Sequence, residues 1–325
     1  MTLLGRFVFF SVLVFFLQTI SLRAETVRVG FPSLATGFAP SWVTADKGLW
    51  KKHGLEVELI YLRGGSRTVS AMVGGSIDII IGSDIGSIQA ILQGAELVKL
   101  GVTTNTLGYS MLGRPNLRSL KDLKGKIIGI TQGRDASYSR VVKVLQENGL
   151  DASKDVKFLP IAEGPSGRLA ALSSGVIHAT MFTPPTDMIA ERSGMKNLSK
   201  IDVENIGGGI TTMKATVQNR RAVLVRFLTG YIEGIHYLRG HKAESLKIFS
   251  KYTRNPDRDV MSYLYEEITT RVATDLQPDK TAVRALLDLV ALDYPQAKQW
   301  SERDHWDTSL IDEIKKSGFL DRLYR

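Results

Sequence analysis

Cysteine is absent from the 325-residue chain. Its absence excludes a disulfide framework, a cysteine zinc site, an iron–sulfur cluster, a thiol nucleophile and a lipid-modified cysteine. Histidine is scarce, and the five present, at 53, 178, 236, 241 and 305, are dispersed without metal-ligand spacing. GxGxxG, a phosphate loop followed by Lys-Ser/Thr and a GxSxG elbow are all missing, so nothing points to ATP, a dinucleotide or a hydrolase serine. No catalytic residue, metal or cofactor is expected. Beyond residue 24 no apolar run is long enough to span a bilayer. The formal charge of +9 is modest for this length, and the basic residues are scattered rather than gathered into a nucleic-acid stripe.

What is present is ordinary globular material. Hydrophobic residues at 43% and charged residues at 23% exclude wholesale disorder, and the length suits about two domains. Met1–Ala24 reads as a cleaved secretory signal: Arg6 gives a positive start, Phe7–Leu22 carries no charge, and Ala24 precedes the cut. The uncharged stretch is short for a membrane span of about 20 residues. Leu22 at minus three departs from the usual small residue. The exported remainder is expected in the periplasm, stable without disulfides.

From Val27 short β-rich runs alternate with helix-compatible segments. VRVGF (27–31), LEVELIYL (55–62), IDIIIG (77–82) and ELVKLGVTT (96–104) read as strands; 39–53, 66–73 and 85–93 read as helices. A second series follows Tyr109, with strands at 110–114, 126–131, 155–161 and 176–183, helices at 136–148, 166–174 and 186–192, and a weak strand at 201–206. Such alternation indicates βαβ units and mostly parallel sheets. Pro184-Pro185 stops the 176–183 strand, and Gly207-Gly208-Gly209 marks a change of direction. From about Asn219 the pattern is helical, over 220–239, 243–252, 257–272, 279–292 and 309–316, with Asp257 and Asp279 at helix starts. Two α/β lobes then leave a cleft at the strand ends.

Three glycine-containing loops precede helices: Gly64-Gly65-Ser66-Arg67-Thr68, Gly133-Arg134-Asp135-Ala136-Ser137 and Gly164-Pro165-Ser166-Gly167-Arg168. Each can expose amides to an anion, and each is equally ordinary helix-start chemistry. Ser33, Phe38, Pro40 and Trp42 follow the first strand, where an aromatic platform and core packing are both open readings. Ser83 can offer a hydroxyl to the cleft; Asp84 can accept from an amine or simply start a helix.

The order of VRVGFPS (27–33), APSWVTADKGLWKKHGLEVEL (39–59), RGGSRTVSAMVGGSIDIIIGS (63–83), LKDLKGKIIGI (120–130), GRLAALSSGVIHATMFTPP (167–185) and SGFLDRLY (317–324) resembles the periplasmic solute-binding proteins of ABC importers. The resemblance is to the nitrate/sulfonate/taurine-binding group and its thiamine-pyrimidine-precursor-binding relatives. It implies a two-lobed periplasmic binding protein of type II-like α/β fold, with two parallel-type sheets flanked by helices, an interlobe ligand cleft and a helical C-terminal return. Lobe one would be 25–108 plus 214–325, and lobe two 109–213, with crossings near 108–111 and 209–214. The implied partners are a small-molecule substrate and a membrane permease with its cytoplasmic ATPase, the binding protein being a monomer.

Carried onto this chain, the resemblance implies a ligand wall of Ser33, Phe38, Ala39, Arg67, Thr68, Ser83, Asp84, Tyr109, Ser110, Gly133, Ser137, Tyr138, Gly164, Thr183 and Pro184. Arg67 is the foremost anion candidate. The implied ligand is a sulfonate-, taurine- or nitrate-like anion; the alternatives are a planar heterocycle or aromatic acid, suited by Phe38, Tyr109 and Tyr138, and a periplasmic sensor or enzyme on the same fold. Arg134 beside Asp135 departs from the Gly-Ser-rich stretch of many relatives. Yeast-type enzymes of this fold carry a cysteine-rich iron motif, which a cysteine-free chain cannot.

Overall fold

The computed structural model describes residues 24–131 and 136–325. The expected secretory signal falls outside the described residues except for Ala24, as does Gly133; Ser137 is described in its backbone alone.

Among the described residues ten strands form, in chain order, β1 (Glu25–Phe31), β2 (Leu55–Tyr61), β3 (Ile79–Ile81), β4 (Leu97–Gly101), β5 (Thr104–Gly113), β6 (Ile127–Ile130), β7 (Lys157–Pro160), β8 (Ala179–Phe182), β9 (Lys196–Gly207) and β10 (Ile210–Met213). One sheet runs β2-β1-β3-β10-β4 and the other β7-β6-β8-β5-β9. β1 is parallel to β2 and β3, and β6 is parallel to β7 and β8. β10 lies antiparallel to β3 and β4, and β5 antiparallel to β8 and β9. Both sheets are therefore mixed rather than parallel throughout. The strand that arrives from the other lobe runs against its neighbours.

This pairing moves the lobe boundaries. β5 starts at Thr104 and β10 at Ile210, so 104–108 belongs to lobe two and 210–213 to lobe one. The expected divisions at 108/109 and 213/214 each lie a few residues downstream of the true crossings, Val102-Thr103 and Gly208-Gly209. The 39–53 helix is also divided, into Ala39–Asp46 and Leu49–Lys52, by Gly48 in the left-handed region at φ 65°.

The two lobes repeat one unit. In lobe one, a Cβ on Gly30 would lie 2.5 Å from Ile77 Cδ1; in lobe two, a Cβ on Gly129 would lie 2.4 Å from Ile177 Cδ1. Each central strand carries a glycine so that an isoleucine leading into the next parallel strand can pack on its backbone.

The tail supplies lobe one's missing layer. Helices Arg221–Gly240, Lys242–Thr253, Arg258–Arg271 and Ser309–Lys316 bury Phe227, Tyr231, Phe249, Leu264 and Ile311 against Trp42, Trp50 and β1. Asp257 starts its helix as expected, its carboxylate accepting from the Asp259 and Val260 amides. Helix Lys280–Val290 packs against Ile85, Ile88 and Ile206, so it touches both lobes. Among the described residues no helix is long and apolar enough to cross a membrane.

Candidate functional site

The carboxyl ends of the parallel strands point toward the crossings, and the loops there enclose a cavity of about 210 Å³. Lobe one contributes Ser33 and Phe38 after β1, Gly64 and Gly65 after β2, and Ser83 and Asp84 after β3. Lobe two contributes Tyr109 from β5, Thr131 after β6, Gly164 and Arg168 after β7, and Thr183 and Pro184 after β8. Gly207 and Gly208 form the crossing wall.

Ser83 is the most unusual of these residues. Its backbone is left-handed at φ 55°, following Gly82 at φ 95°, and it leads into the helix Asp84–Leu92. Its Oγ is buried and makes no hydrogen bond. Strain and an unsatisfied hydroxyl coincide at a cavity wall, as they do where a ligand completes a site. Beside it, Asp84 accepts from buried Lys99 Nζ at 2.6 Å, and Lys99 also lies 5.0 Å from the Trp306 ring centre. The Asp84 carboxylate is thus committed to a cation within lobe one.

On the opposite wall, Arg168 is buried; it donates to Thr131 Oγ1, and to the Met181 carbonyl at 3.3 Å. The Arg140 guanidinium stacks on Tyr109 at 4.6 Å from the ring centre. Burial pushes the Tyr109 phenol up to about 12, against the pull of Arg140 and with the push of Asp84. Tyr109 therefore stays protonated through the neutral range. The tail helix adds Glu267 and Arg271 to the wall, paired at 3.0 Å, with Arg271 also bonded to Asp202 of β9 at 2.8 Å.

Of the residues expected at the ligand wall, Ser33, Phe38, Ser83, Asp84, Tyr109, Gly164, Thr183 and Pro184 do line the cavity. Five others do not. Ala39 is buried in lobe one's core. Arg67 is exposed on helix Gly65–Val73 and is not part of the cavity wall. Thr68 donates to the carbonyls of Leu62 and Gly64 and secures its own helix start. Ser110, next to Tyr109 on β5, faces the other side and donates to Asp187 at 3.0 Å. Tyr138 packs edge-on against Phe158 over lobe two's core, 4.9 Å between ring centres. Of the platform candidates, Trp42 is a core residue stacked on Tyr252. Arg140, Arg168, Glu267 and Arg271 were not expected. The single sequence signal among them was the position of Arg168 in the third glycine loop.

A family model described as NMT1/THI5 like matches residues 35–245, about two-thirds of the chain. This chain belongs to the NMT1/THI5-like family. A Brucella abortus (strain 2308) protein named as a binding protein is 32% identical over 130 residues, covering 39% of this chain and 40% of that protein. The match thus spans well under half the length of that relative. An Escherichia coli (strain K12) protein named as an aliphatic sulfonates-binding protein is 23% identical, covering 81% of each chain. Among solved structures, the alkanesulfonate-binding protein SsuA of Xanthomonas axonopodis pv. citri, bound to MOPS, superposes with a TM-score of 0.72 at 18% identity, covering 86% of this chain and 95% of that one. The fold is that of the periplasmic binding proteins. It also carries an enzyme, the desulfurization enzyme DszB, with a TM-score of 0.63 at 14% identity over 93% of this chain and all of that one. Fold alone therefore does not separate capture from catalysis, and the site has to decide.

Proposed function

We propose that this NMT1/THI5-like chain is the extracytoplasmic solute-binding component of an ABC importer. It captures a small anion between its lobes, as a periplasmic monomer, and delivers it to a membrane permease with a cytoplasmic ATPase. The carrying observation is the shared wall. Ser83, an unsatisfied hydroxyl in strained backbone on lobe one, and Arg168, a buried guanidinium on lobe two, line one cavity across two short crossings. A ligand held by both stabilises the closed state through contacts that an open cleft lacks.

An anion suits the wall's chemistry. Ser83 Oγ–H and the guanidinium of Arg168 are donors, and the two acids among the described wall residues, Asp84 and Glu267, are matched by Lys99 and Arg271. The sulfonate names of the Escherichia coli and Xanthomonas relatives support the same class. Capture without turnover is the reading because both acids are committed to cations. A second reading, a planar heterocycle or aromatic acid, draws on Phe38 and Tyr109 in the wall.

Thermal unfolding of the exported protein, freed of retained ligand by partial denaturation and refolding, tests both. The panel holds alkanesulfonates, taurine, nitrate, bicarbonate, aromatic carboxylates and thiamine-precursor pyrimidines. A ligand at 100 times its Kd adds about 2.7 kcal/mol. A selective shift by a sulfonate, taurine or nitrate carries the first reading; one by an aromatic acid or pyrimidine replaces it with the second. Chemical conversion of the bound compound, followed by mass, overturns capture.

A further inference from the structure

The end of lobe two that lies opposite the cleft is basic strand by strand. Across its sheet, Lys157 opens β7, Lys126 precedes β6, His178 precedes β8, Arg114 follows β5 and Lys196 opens β9. Register holds them at one end: Ile127 faces Lys157, Ile128 faces Ala179, and Gly113 faces both Ala179 and Lys196. The sequence scatters these residues between 114 and 196, and the sheet lines them up. The segment 114–126 joins β5 to β6 at this same end and adds exposed Arg118 and Lys121.

The acids here are committed elsewhere: Asp155 to Lys124, Asp151 to Lys154, Glu147 to Lys143, Asp122 to the amides of Arg118 and Ser119, and Glu191 to Asn197. Among the described residues, Arg114, Lys126, Lys157 and Lys196 form no ion pair. Lobe one's corresponding end differs. There Glu25, Asp78 and Glu96 stand at the strand starts and are met by Arg226, Arg28 and Lys214. The unbalanced charge reaches into lobe two's sheet, where burial and then Lys126 and Arg114 hold the His178 imidazole below its ordinary value. One apolar group stands among the cations. Val176 is 54% exposed and follows Gly175, where a Cβ would lie 2.8 Å from Arg114 Nη1.

We propose that this end of lobe two rests on a bilayer surface rich in anionic phospholipid headgroups, its lysines and Arg114 against the phosphates and Val176 entering the headgroup layer. Charge complementarity selects an anionic partner, and the side chains select a bilayer. Protein interfaces are poor in lysine and centre on buried aromatic or arginine anchors. Here lysine prevails, and the exposed large apolar side chain is a valine. A flexible ammonium needs no fixed counterpart geometry, so it suits mobile headgroups. The cleft lies at the other end of the strands, so the surface goes beyond capture and is independent of the solute. It would hold an exported binding protein beside the membrane that carries its permease.

Vesicle flotation tests it on residues 25–325, which span the described fold without the apolar run 7–22. Binding is expected to vesicles of phosphatidylglycerol and phosphatidylcholine, not to phosphatidylcholine alone, and is expected to vanish at about 1 M salt, where screening acts within about 3 Å. Lys126→Gln/Lys157→Gln/Lys196→Gln should weaken it about thirtyfold or more, since each lysine near such a surface contributes about fivefold. Lys247→Gln/Lys280→Gln/Lys316→Gln removes the same charge from exposed positions on the tail, and should change it by no more than about threefold. Absence of binding to the anionic vesicles overturns the proposal, even where this end captures a soluble acidic protein. Equal weakening by the two triple variants overturns it too.

A fluorophore reads the orientation without removing any lysine. The cysteine-free chain allows a single labelled thiol, Val176→Cys or, at the far end of lobe one, Val73→Cys, where the valine is 55% exposed. On anionic vesicles an environment-sensitive dye at 176 should shift to the blue, and the same dye at 73 should not. No shift at 176, or an equal shift at 73, overturns the proposal.

Discussion

Lys99 Nζ donates to Asp84 Oδ1 across 2.6 Å, with the lysine side chain wholly buried and the carboxylate set in the cleft wall. Lys99 stands in the middle of β4, and Asp84 Oδ2 also accepts from the Gly209 amide of the second crossing at 3.4 Å. One ion pair therefore ties the ligand wall to β4 and to the second crossing. Lys99→Met should lower unfolding stability by about 3–5 kcal/mol, because it leaves a buried carboxylate without its cation. The double variant Lys99→Met/Asp84→Leu should recover most of that loss. Urea unfolding of the four proteins of this cycle is the measurement, and an additive double variant would refute the coupling.

His305 gives a prediction in pH. Burial, then the neighbouring Lys99 charge, holds its imidazole down at about 4. The ring is thus neutral in the fold and takes a proton more readily in the unfolded chain. Its contribution is fully present above the unfolded value near 6.5 and is lost as pH falls from there toward 4. The loss across that window is up to about 3 kcal/mol. His305→Phe should flatten this part of the urea-midpoint profile. An unchanged slope between pH 6.5 and 4 would assign the acid sensitivity elsewhere.

Ser83 separates stability from binding. A left-handed non-glycine residue carries a backbone cost of about 1–2 kcal/mol, which glycine does not. Ser83→Gly should therefore leave the ligand-free protein as stable as the wild type or up to about 1 kcal/mol more so, while ligand affinity drops about tenfold with the lost hydroxyl. Ser83→Ala should lose the same affinity and keep the strain. Calorimetric titration alongside denaturation checks this, and full affinity in both variants would remove Ser83 from the site.

Much of the layout was legible because strand and helix periods are local. The runs 55–62 and 77–82 and the helix starts expected at Asp257 and, within one residue of the observed Gly65, at Ser66 follow from alternation and helix-start chemistry over a few residues. The crossings were not, since Thr104-Asn105-Thr106 and Thr211-Thr212 are polar sequences that only tertiary pairing makes into strands. Neighbouring residues were over-assigned to the ligand wall: Tyr109 and Ser110 alternate across a sheet and cannot both face the cleft. Glu267 and Arg271 were invisible for the opposite reason. They reach the cavity from a helix far away in sequence, with only the 258–271 face to announce them.

Arg67 and Arg168 make a paired test of that lesson. Arg67 follows a diglycine in sequence and is exposed off the cavity, whereas Arg168 is buried within it. Arg67→Ala should leave anion affinity within about twofold. Arg168→Met should weaken it by tenfold or more, the effect of one lost charge-assisted hydrogen bond. The reverse order would restore Arg67 as the anion residue and imply that helix Gly65–Val73 turns inward when the ligand arrives.

Gly208 tests the hinge itself. It adopts φ 63°, and a Cβ there would stand 2.7 Å from Thr103 Oγ1 and 2.8 Å from the Gly37 carbonyl. Thr103 Oγ1 contacts the Gly208 carbonyl and the Tyr231 hydroxyl, each at 2.9 Å, so the two crossings and the long tail helix are bonded at one point. Gly208→Ala must displace either Thr103 or the Gly37 backbone, and the left-handed conformation adds strain that a neighbour's movement cannot relieve. Its unfolding stability should fall by about 1–3 kcal/mol, and ligand affinity should fall with it because the lobes meet in altered register. Thr103→Val removes the hydrogen bonds while keeping the volume, and should lower stability without the added strain. If Gly208→Ala bound ligand normally and also unfolded normally, the second crossing would be free to shift, and closure would have to pivot elsewhere, on the tail helices that bridge the lobes.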